Sequence, residues 1–278
     1  MFSINCKGKL LSLQQPTVMG ILNITSDSFY KGYLNETEQT IHKKIHQYVM
    51  EGAGIIDVGG QSTRPGSARL SAEEEIDRVI PYIRFIATTY PDVFISIDTY
   101  SSRVAKEAIQ AGAHIVNDIS AGLLDAEMIP AIAQLHVPYI CMHMQGVPET
   151  MQQNPVYTDI MVELTRFFAE RVQVCRNAGI TDIIIDPGFG FGKTIAHNFS
   201  ILKNLAAFKI LGCPVLIGLS RKSSIYKTLG VSADESLNGT TVLHTIALLQ
   251  AVQIIRVHDV KEAKEAILLT EVYKKAAL

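Results

Sequence analysis

Residues 182–194 read "DIIIDPGFGFGKT". Ile183 to Ile185 form a short β-branched run that ends in a carboxylate, Asp186. Proline and three glycines follow, and the stretch closes on Gly192-Lys193-Thr194. That ending imitates a phosphate-binding loop. The G-x-x-x-x-G-K-[ST] spacing, however, puts Pro187 where the first glycine belongs, and Gly188 is one residue too close. Proline lacks a backbone donor and fixes φ, so this loop does not wrap a phosphate in that way. The stretch reads instead as a buried strand, a polar strand end and a tight loop.

Seven other runs share the pattern: "TVMGIL" (17–22), "GIIDV" (54–58), "VFISI" (93–97), "HIVN" (114–117), "PYICM" (138–142), "PVLIG" (214–218) and "VQIIRV" (252–257). Short continuous apolar runs of this kind suit strands covered on both faces, as in a parallel sheet. Between them lie amphipathic segments. "SAEEEIDRVIPYIRFIA" starts with a capping box, Ser71 and Glu74, and carries Ile76, Val79, Ile80 and Ile83 on one face. "SSRVAKEAIQAG" has Ser101 as N-cap and Gly112 as a stop; residues 157–179 end in Gly179; residues 260–275 form the last helix. Eight strands alternating with eight helices, with no change of composition along the chain, point to an α/β fold, a single-domain (β/α)8 TIM barrel. The alternation also fits a doubly wound open sheet. Residues 1–16 precede the first run and are expected to cap the bottom of the barrel.

The chain has 278 residues, enough for one barrel. A net charge of −2 argues against a nucleic-acid-binding surface, which is usually basic. Cys6, Cys141, Cys175 and Cys213 are widely spaced, without C-x-x-C pairing, as expected of reduced thiols in a cytoplasmic protein. The sequence has neither a secretory leader pattern nor an apolar run approaching the roughly 18 residues of a membrane span.

The residues at or just past the run ends are Asn23, Asp57, Asp98, Asn117, His143, Asp186, Ser220 and Arg256. All are polar, and in a barrel such positions converge on the C-terminal mouth. Asp98 and Asp186 follow buried runs, so each needs donors or a cation. Taken singly, either equally suits a salt bridge or an Asx-turn. Together with Asn117 they suit a planar, donor-rich ligand with a guanidine-like edge. Arg64, Arg221, Lys222, Arg256 and His258 fall in loops after the second, seventh and eighth runs. Cations gathered there favour an anionic group such as a phosphate ester or diphosphate. Lys193 reads as decoration of a helix N-terminus. His143, between Met142 and Met144, reads as facing the mouth while the methionines face the core. Scattered histidines argue against a tight zinc site, whereas Asn23 offers an oxygen to a Mg2+ already held by a diphosphate.

The motifs together resemble the dihydropteroate synthase family of pterin-binding barrels. They are "MGILNITSDSF" (19–29), "DVGGQSTRPG" (57–66), "SIDT" (96–99), "NDIS" (117–120), "MHMQGVPETMQ" (142–152), "DPGFGFGKT" (186–194), "GLSRKSSI" (218–225) and "RVHDV" (256–260). They span nearly the whole chain in the family's order. The resemblance implies an enzyme that joins 6-hydroxymethyl-7,8-dihydropterin diphosphate to p-aminobenzoate, giving dihydropteroate and diphosphate in folate biosynthesis. It implies that Asp98, Asn117, Asp186 and Lys222 hold the pterin and that Arg256 stacks beside it and meets the diphosphate. Asn23, Arg64 and His258 would hold the diphosphate, with Asn23 touching Mg2+. Asn23, Arg64, Lys222, Arg256 and His258 are thereby the catalytic set. Phe29, Thr63, Pro65, Phe191 and Ser223 would shape the p-aminobenzoate pocket, which is also where sulfonamides act. A homodimer is expected from the family alone.

Three departures fall in the first two loops. Ser26 stands where the family often has proline, "YKGY" around Lys31 replaces a more acidic stretch, and Gln61 replaces a common glutamate. A pterin-dependent methyltransferase shares the barrel but is not expected to carry "GLSRKS" with "RVHDV". A catalytically silent pterin-binding protein would have no need of the diphosphate residues.

Overall fold

The computed structural model describes residues 2–24, 34–61, 69–148 and 150–276, with only the backbone path described for 34–37. Ser26, Phe29, Lys31, Thr63, Arg64 and Pro65 lie outside the described residues.

The chain begins with a hairpin. β1 (Ser3–Cys6) and β2 (Lys9–Ser12) pair antiparallel around Lys7 and Gly8. Both turn residues have positive φ, 54° and 88°, as a two-residue hairpin turn requires. The apolar runs then form β3 (Thr17–Asn23), β4 (Ile55–Gly59), β5 (Phe94–Asp98), β6 (Ile115–Asp118), β7 (Tyr139–Met142), β8 (Ile183–Asp186), β9 (Leu216–Ile217) and β10 (Ile254–Val257). All are parallel, in the order β8-β7-β6-β5-β4-β3-β10-β9. The last gap closes through a parallel bridge between Ile185 and Val215, beside which the Ile185 N–H donates to Pro214 O at 3.0 Å. The fold is a (β/α)8 barrel, and the open sheet is excluded.

β9 is shorter than its sequence run. Pro214 has no N–H to give to a ladder, and the Val215 N–H is taken by the side chain of Gln253 at 2.8 Å.

The helices are α1 (Leu34–Met50), α2 (Ala72–Thr89), α3 (Ser102–Gln110), α4 (Met128–Leu135), α5 (Ile160–Asn177), α6 (Ile195–Lys203), α7 (Ser223–Leu229), α8 (Leu237–Leu249) and α9 (Val260–Lys275). The Ser71–Glu74 capping box and the Ser101 cap both form. The described residues hold one helix more than the alternation predicts. It is α7, a short helix before α8, ended by Gly230 at φ 69°. No helix among the described residues is long and apolar enough to cross a membrane.

The barrel interior is layered, because alternate side chains on each strand point inward. Met19, Ile55, Phe94, Ile115, Ile140, Ile184, Leu216 and Ile254 contribute one apolar residue from each barrel strand. They pack in one cluster with Ile4, Cys6, Leu11 and Leu13, so the hairpin covers the N-terminal end of the barrel. Two residues further along the strands, the same inward register carries Asp57, Ser96, Asn117, Asp186 and Arg256. The layer that closes the bottom is thus apolar, and the layer above it is polar or charged on five of the eight strands.

Candidate active site

Arg256 is the hub of the polar layer. From β10 its Nε donates to Asp57 Oδ2 at 2.6 Å and its Nη2 to Asp98 Oδ2 at 2.6 Å. Asn117 Nδ2 donates to the same Asp57 oxygen at 3.0 Å. Four strands therefore meet in one network: β4 gives Asp57, β5 Asp98, β6 Asn117 and β10 Arg256. Asp57 is fully buried, and its Oδ1 has no hydrogen-bond partner. Burial alone would lower the Arg256 pKa, but Asp57 and Asp98 reverse that and hold it above the usual guanidinium range. Burial pushes the Asp98 carboxyl up to about 7. Arg256 opposes the shift, and the carboxylates of Asp57, Glu75 and Asp118 reinforce it.

Asp186 ends β8 across the mouth. Its Oδ1 accepts the Gly188 N–H at 2.8 Å. Burial raises its pKa, and Lys222 counters this. Lys222 precedes α7; burial lowers its pKa to about 8 against the pull of Asp186. Its ammonium donates to Phe189 O and stands 4.5 Å from the centre of the Phe191 ring. Phe189 is buried in the core, whereas Phe191 is half-buried beside Lys222. Ser223 is the first residue of α7 and is also half-buried.

Two glycines border the mouth. A Cβ on Gly59 would lie 3.5 Å from Asn23 Oδ1 and 3.7 Å from Asp98 Oδ2, so Asn23 and Asp98 flank it. Gly190, at φ 84°, leaves no room for a Cβ, which would lie 2.9 Å from Lys222 Cδ. His258 follows β10 on the same rim. Its backbone N–H donates to Ser220 Oγ at 3.2 Å, and its Nδ1 lies 3.0 Å from that oxygen. Burial, then the charge of Arg256, lowers its pKa to about 4, so the ring is neutral near neutral pH.

The structure thus gathers Asn23, Asp98, Asn117, Asp186, Phe191, Lys222, Ser223, Arg256 and His258 at the C-terminal end of the barrel. The remaining candidates, Phe29, Thr63, Arg64 and Pro65, lie outside the described residues. Gln61 is described, and its Oε1 accepts the Leu70 N–H at 2.7 Å.

Three expectations are corrected. His143 does not face the mouth. It is buried, and its ring meets Phe167 of α5 edge-on at 4.7 Å, because the alternation along β7 turns position 143 outward. Lys193 does not decorate a helix end; it is 3 % exposed and hydrogen-bonded beneath the loop. Arg221 is not a ligand cation, since it forms a two-pronged pair with Asp259 at 2.9 and 2.8 Å and donates to Asp234 O at 2.8 Å.

Sequence reasoning named Asp57 as a strand-end residue but gave it no role. The signal was present, because Ile55, Asp57 and Gly59 share one strand face. It also passed over Glu75, hidden among three successive glutamates. Glu75 is buried on α2, burial pushes its carboxyl to about 7, and its Oε1 has no partner.

Comparison with known proteins decides the family. The pterin binding enzyme family matches residues 19–258. The dihydropteroate synthase of Escherichia coli (strain K12) is 45% identical over 267 residues, 95% of this chain and 94% of that protein. The chain belongs to the dihydropteroate synthase family. Dihydropteroate synthases are transferases of folate synthesis, and the barrel described above is theirs. The Yersinia pestis dihydropteroate synthase, solved with a sulfonamide drug complex, superposes with a TM-score of 0.93 at 40% identity, over 99% of this chain and 100% of that one. The Xanthomonas albilineans dihydropteroate synthase in complex with 7,8-dihydropteroate gives 0.89 at 34% identity, over 99% and 100% of the two chains.

Proposed function

We propose that this enzyme condenses 6-hydroxymethyl-7,8-dihydropterin diphosphate with p-aminobenzoate, forming 7,8-dihydropteroate and releasing diphosphate. The observation that carries the reading is the polar end of the barrel interior, above its apolar floor. Two carboxylates and an amide, Asp98, Asp186 and Asn117, stand with Lys222 and Arg256 at the C-terminal end of the strands. Asp186 and Asp98 accept from the amino and ring N–H groups of the pterin, Asn117 reads an adjacent edge, and Lys222 donates to a ring acceptor. Arg256, fixed by Asp57 and Asp98, lies against the pterin and meets the diphosphate. Asn23 and His258, with Arg64, hold the leaving group. Phe191 and Ser223, with Phe29, Thr63 and Pro65, wall the p-aminobenzoate pocket.

The chemistry is SN1-like. The bond from the pterin methylene to the diphosphate oxygen breaks, and the electron pair leaves with diphosphate. Positive charge spreads into the pterin, against the carboxylates that already hold its N–H edge. The arylamine nitrogen then bonds to the methylene and loses one proton. The arylamine is nucleophilic without help, so the protein's contribution is positioning and electrostatics. Among the described residues no three His, Cys, Asp or Glu side chains form a metal cage. Asn23 offers one neutral oxygen beside Asp98, which fits a Mg2+ carried by the diphosphate and touched once by the protein. When bound, such an ion neutralises charge on the leaving group.

Two further readings complete the proposal. Val242, Ile246 and Leu249 on α8, and Leu269, Val272 and Tyr273 on α9, are exposed, and the two stripes meet at a groove about 380 Å³ in volume. A second copy of the chain covers this face in a homodimer. The four cysteines are all free and buried, which supports residence in the reducing cytoplasm.

The test is steady-state turnover with both substrates and Mg2+, with products identified by mass. Dihydropteroate and diphosphate should form in equal amounts, and a sulfonamide should compete with p-aminobenzoate. Pterin binding without turnover would mark a silent binding protein and overturn the proposal.

A further inference from the structure

The loop after β8 is held in an unusual way. Four successive backbone carbonyls, from Phe189 to Gly192, each accept from a different side chain. Lys222 takes Phe189 O, Gln152 Nε2 takes Gly190 O at 2.5 Å, Lys193 Nζ takes Phe191 O at 2.9 Å, and Tyr157 Oη takes Gly192 O at 2.8 Å. Lys193 differs from the other three because it is sealed under the loop.

A lysine Nζ donates through its N–H groups. Around Lys193 Nζ stand three acceptors: Phe191 O at 2.9 Å, His143 O at 3.2 Å and His143 Nδ1 at 3.0 Å. Burial, reinforced by Lys193, pushes the His143 pKa down to about 3, so its ring is neutral and its Nδ1 can accept. The same lysine therefore joins the loop at Phe191 to the end of β7 at His143. The loop packs closely on the end of β7 around it. A Cβ on Gly188 would overlap His143 O and lie 3.3 Å from Lys193 Nζ, and one on Gly192 would come within 2.7 Å of Gln145 O. Burial lowers the Lys193 pKa well below the usual ammonium range; Asp186 opposes the shift and Lys222 reinforces it.

We infer that Lys193 is a positioning residue for the second substrate. It clamps the Phe191 backbone to β7 and so fixes the Phe191 ring as a wall of the arylamine pocket. The inference rests on the proposed pocket. It also gives the Gly-Lys-Thr ending a use that has nothing to do with a nucleotide: the lysine turns down onto the barrel and grips the loop from below. Because the loop reaches its shape before substrate arrives, the ring does not need to be ordered on binding.

The test is a double-mutant cycle on the full-length enzyme, read in the p-aminobenzoate KM at saturating pterin diphosphate. Lys193→Met keeps the length of the side chain and removes its N–H donors. It should raise that KM about tenfold, as expected for loss of buried hydrogen bonds that hold the loop. Phe191→Ala should raise it as well. The double variant should match Phe191→Ala within about twofold, because Lys193 acts only through that ring. Multiplying effects would show that the lysine acts elsewhere and would overturn the inference. So would an unchanged KM in Lys193→Met beside a raised KM in Phe191→Ala. An unchanged KM in Phe191→Ala would sink the pocket reading itself, and the inference with it. If Lys193→Met melts far below the parent, Lys193→Gln, which retains two donors, carries the same comparison, with a smaller rise expected.

Discussion

At the residue scale the site depends on acceptors that burial keeps from being ordinary carboxylates. One oxygen of Asp186 is already engaged by the Gly188 N–H at 2.8 Å, and the other is the one assigned to the ligand. Asp186→Asn replaces that acceptor with a group that also presents donors. The fold should survive, and dihydropterin affinity should fall by roughly 1.5–3 kcal/mol, about ten- to a hundredfold. Calorimetric titration checks it, and affinity within twofold of the parent in a folded variant would count against the role. The pH dependence follows from two neighbours. Asp98 titrates at about 7, raised by burial, and only its ionised form accepts from pterin N–H groups. Affinity should therefore rise with pH through that value. Lys222, lowered by burial to about 8, loses its charge above that, and affinity should fall again. The profile of kcat/KM for the pterin diphosphate should be a bell with these two limbs, and Asp98→Asn should remove the acid limb. A profile flat across both limbs would contradict the assignment. His258, neutral down to about 4, adds no limb in this window.

At the scale of elements, the loop after β8 carries the site's geometry. Gly190→Ala puts a Cβ at positive φ and 2.9 Å from Lys222 Cδ. The backbone strain is roughly 1–2 kcal/mol, and Lys222 has to move. Melting temperature should fall by only a few degrees while the pterin diphosphate KM rises severalfold; an unchanged KM would show that Lys222 does not need that space. Most elements were legible in the sequence, because β-branched runs, capping residues and terminal glycines are local signals. Ser71 with Glu74, Ser101 and the strand-end carboxylates all hold their expected positions. What was not legible depends on direction. Whether His143 faces the mouth or α5 is decided by one residue of strand phase, and Lys193 by a fold of the chain that brings it under its own loop. Arg221 looked like a ligand cation until Asp259, on the neighbouring loop, came within 2.8 Å. α7 was missed because seven residues give too short a periodicity to read.

At the scale of the molecule, the bottom of the barrel is closed by apolar packing under the hairpin, and the top is left to charge. The apolar stripes of α8 and α9 belong to neither, and nothing in the described chain covers them. Leu269→Glu should convert a dimer to a monomer, with the barrel intact by circular dichroism; sedimentation equilibrium checks this, and an unchanged mass would remove the face from the assembly. The central claim is that the polar end of the barrel interior reads a dihydropterin. The most direct measurement is a crystal structure of the enzyme soaked with 6-hydroxymethyl-7,8-dihydropterin. The account predicts the ring in the mouth, with its N–H edge about 2.7–3.2 Å from Asp186 and its neighbouring atoms at Asn117 and Asp98, against the Arg256 guanidinium. A pterin bound elsewhere, or with that edge turned toward solvent, would contradict it.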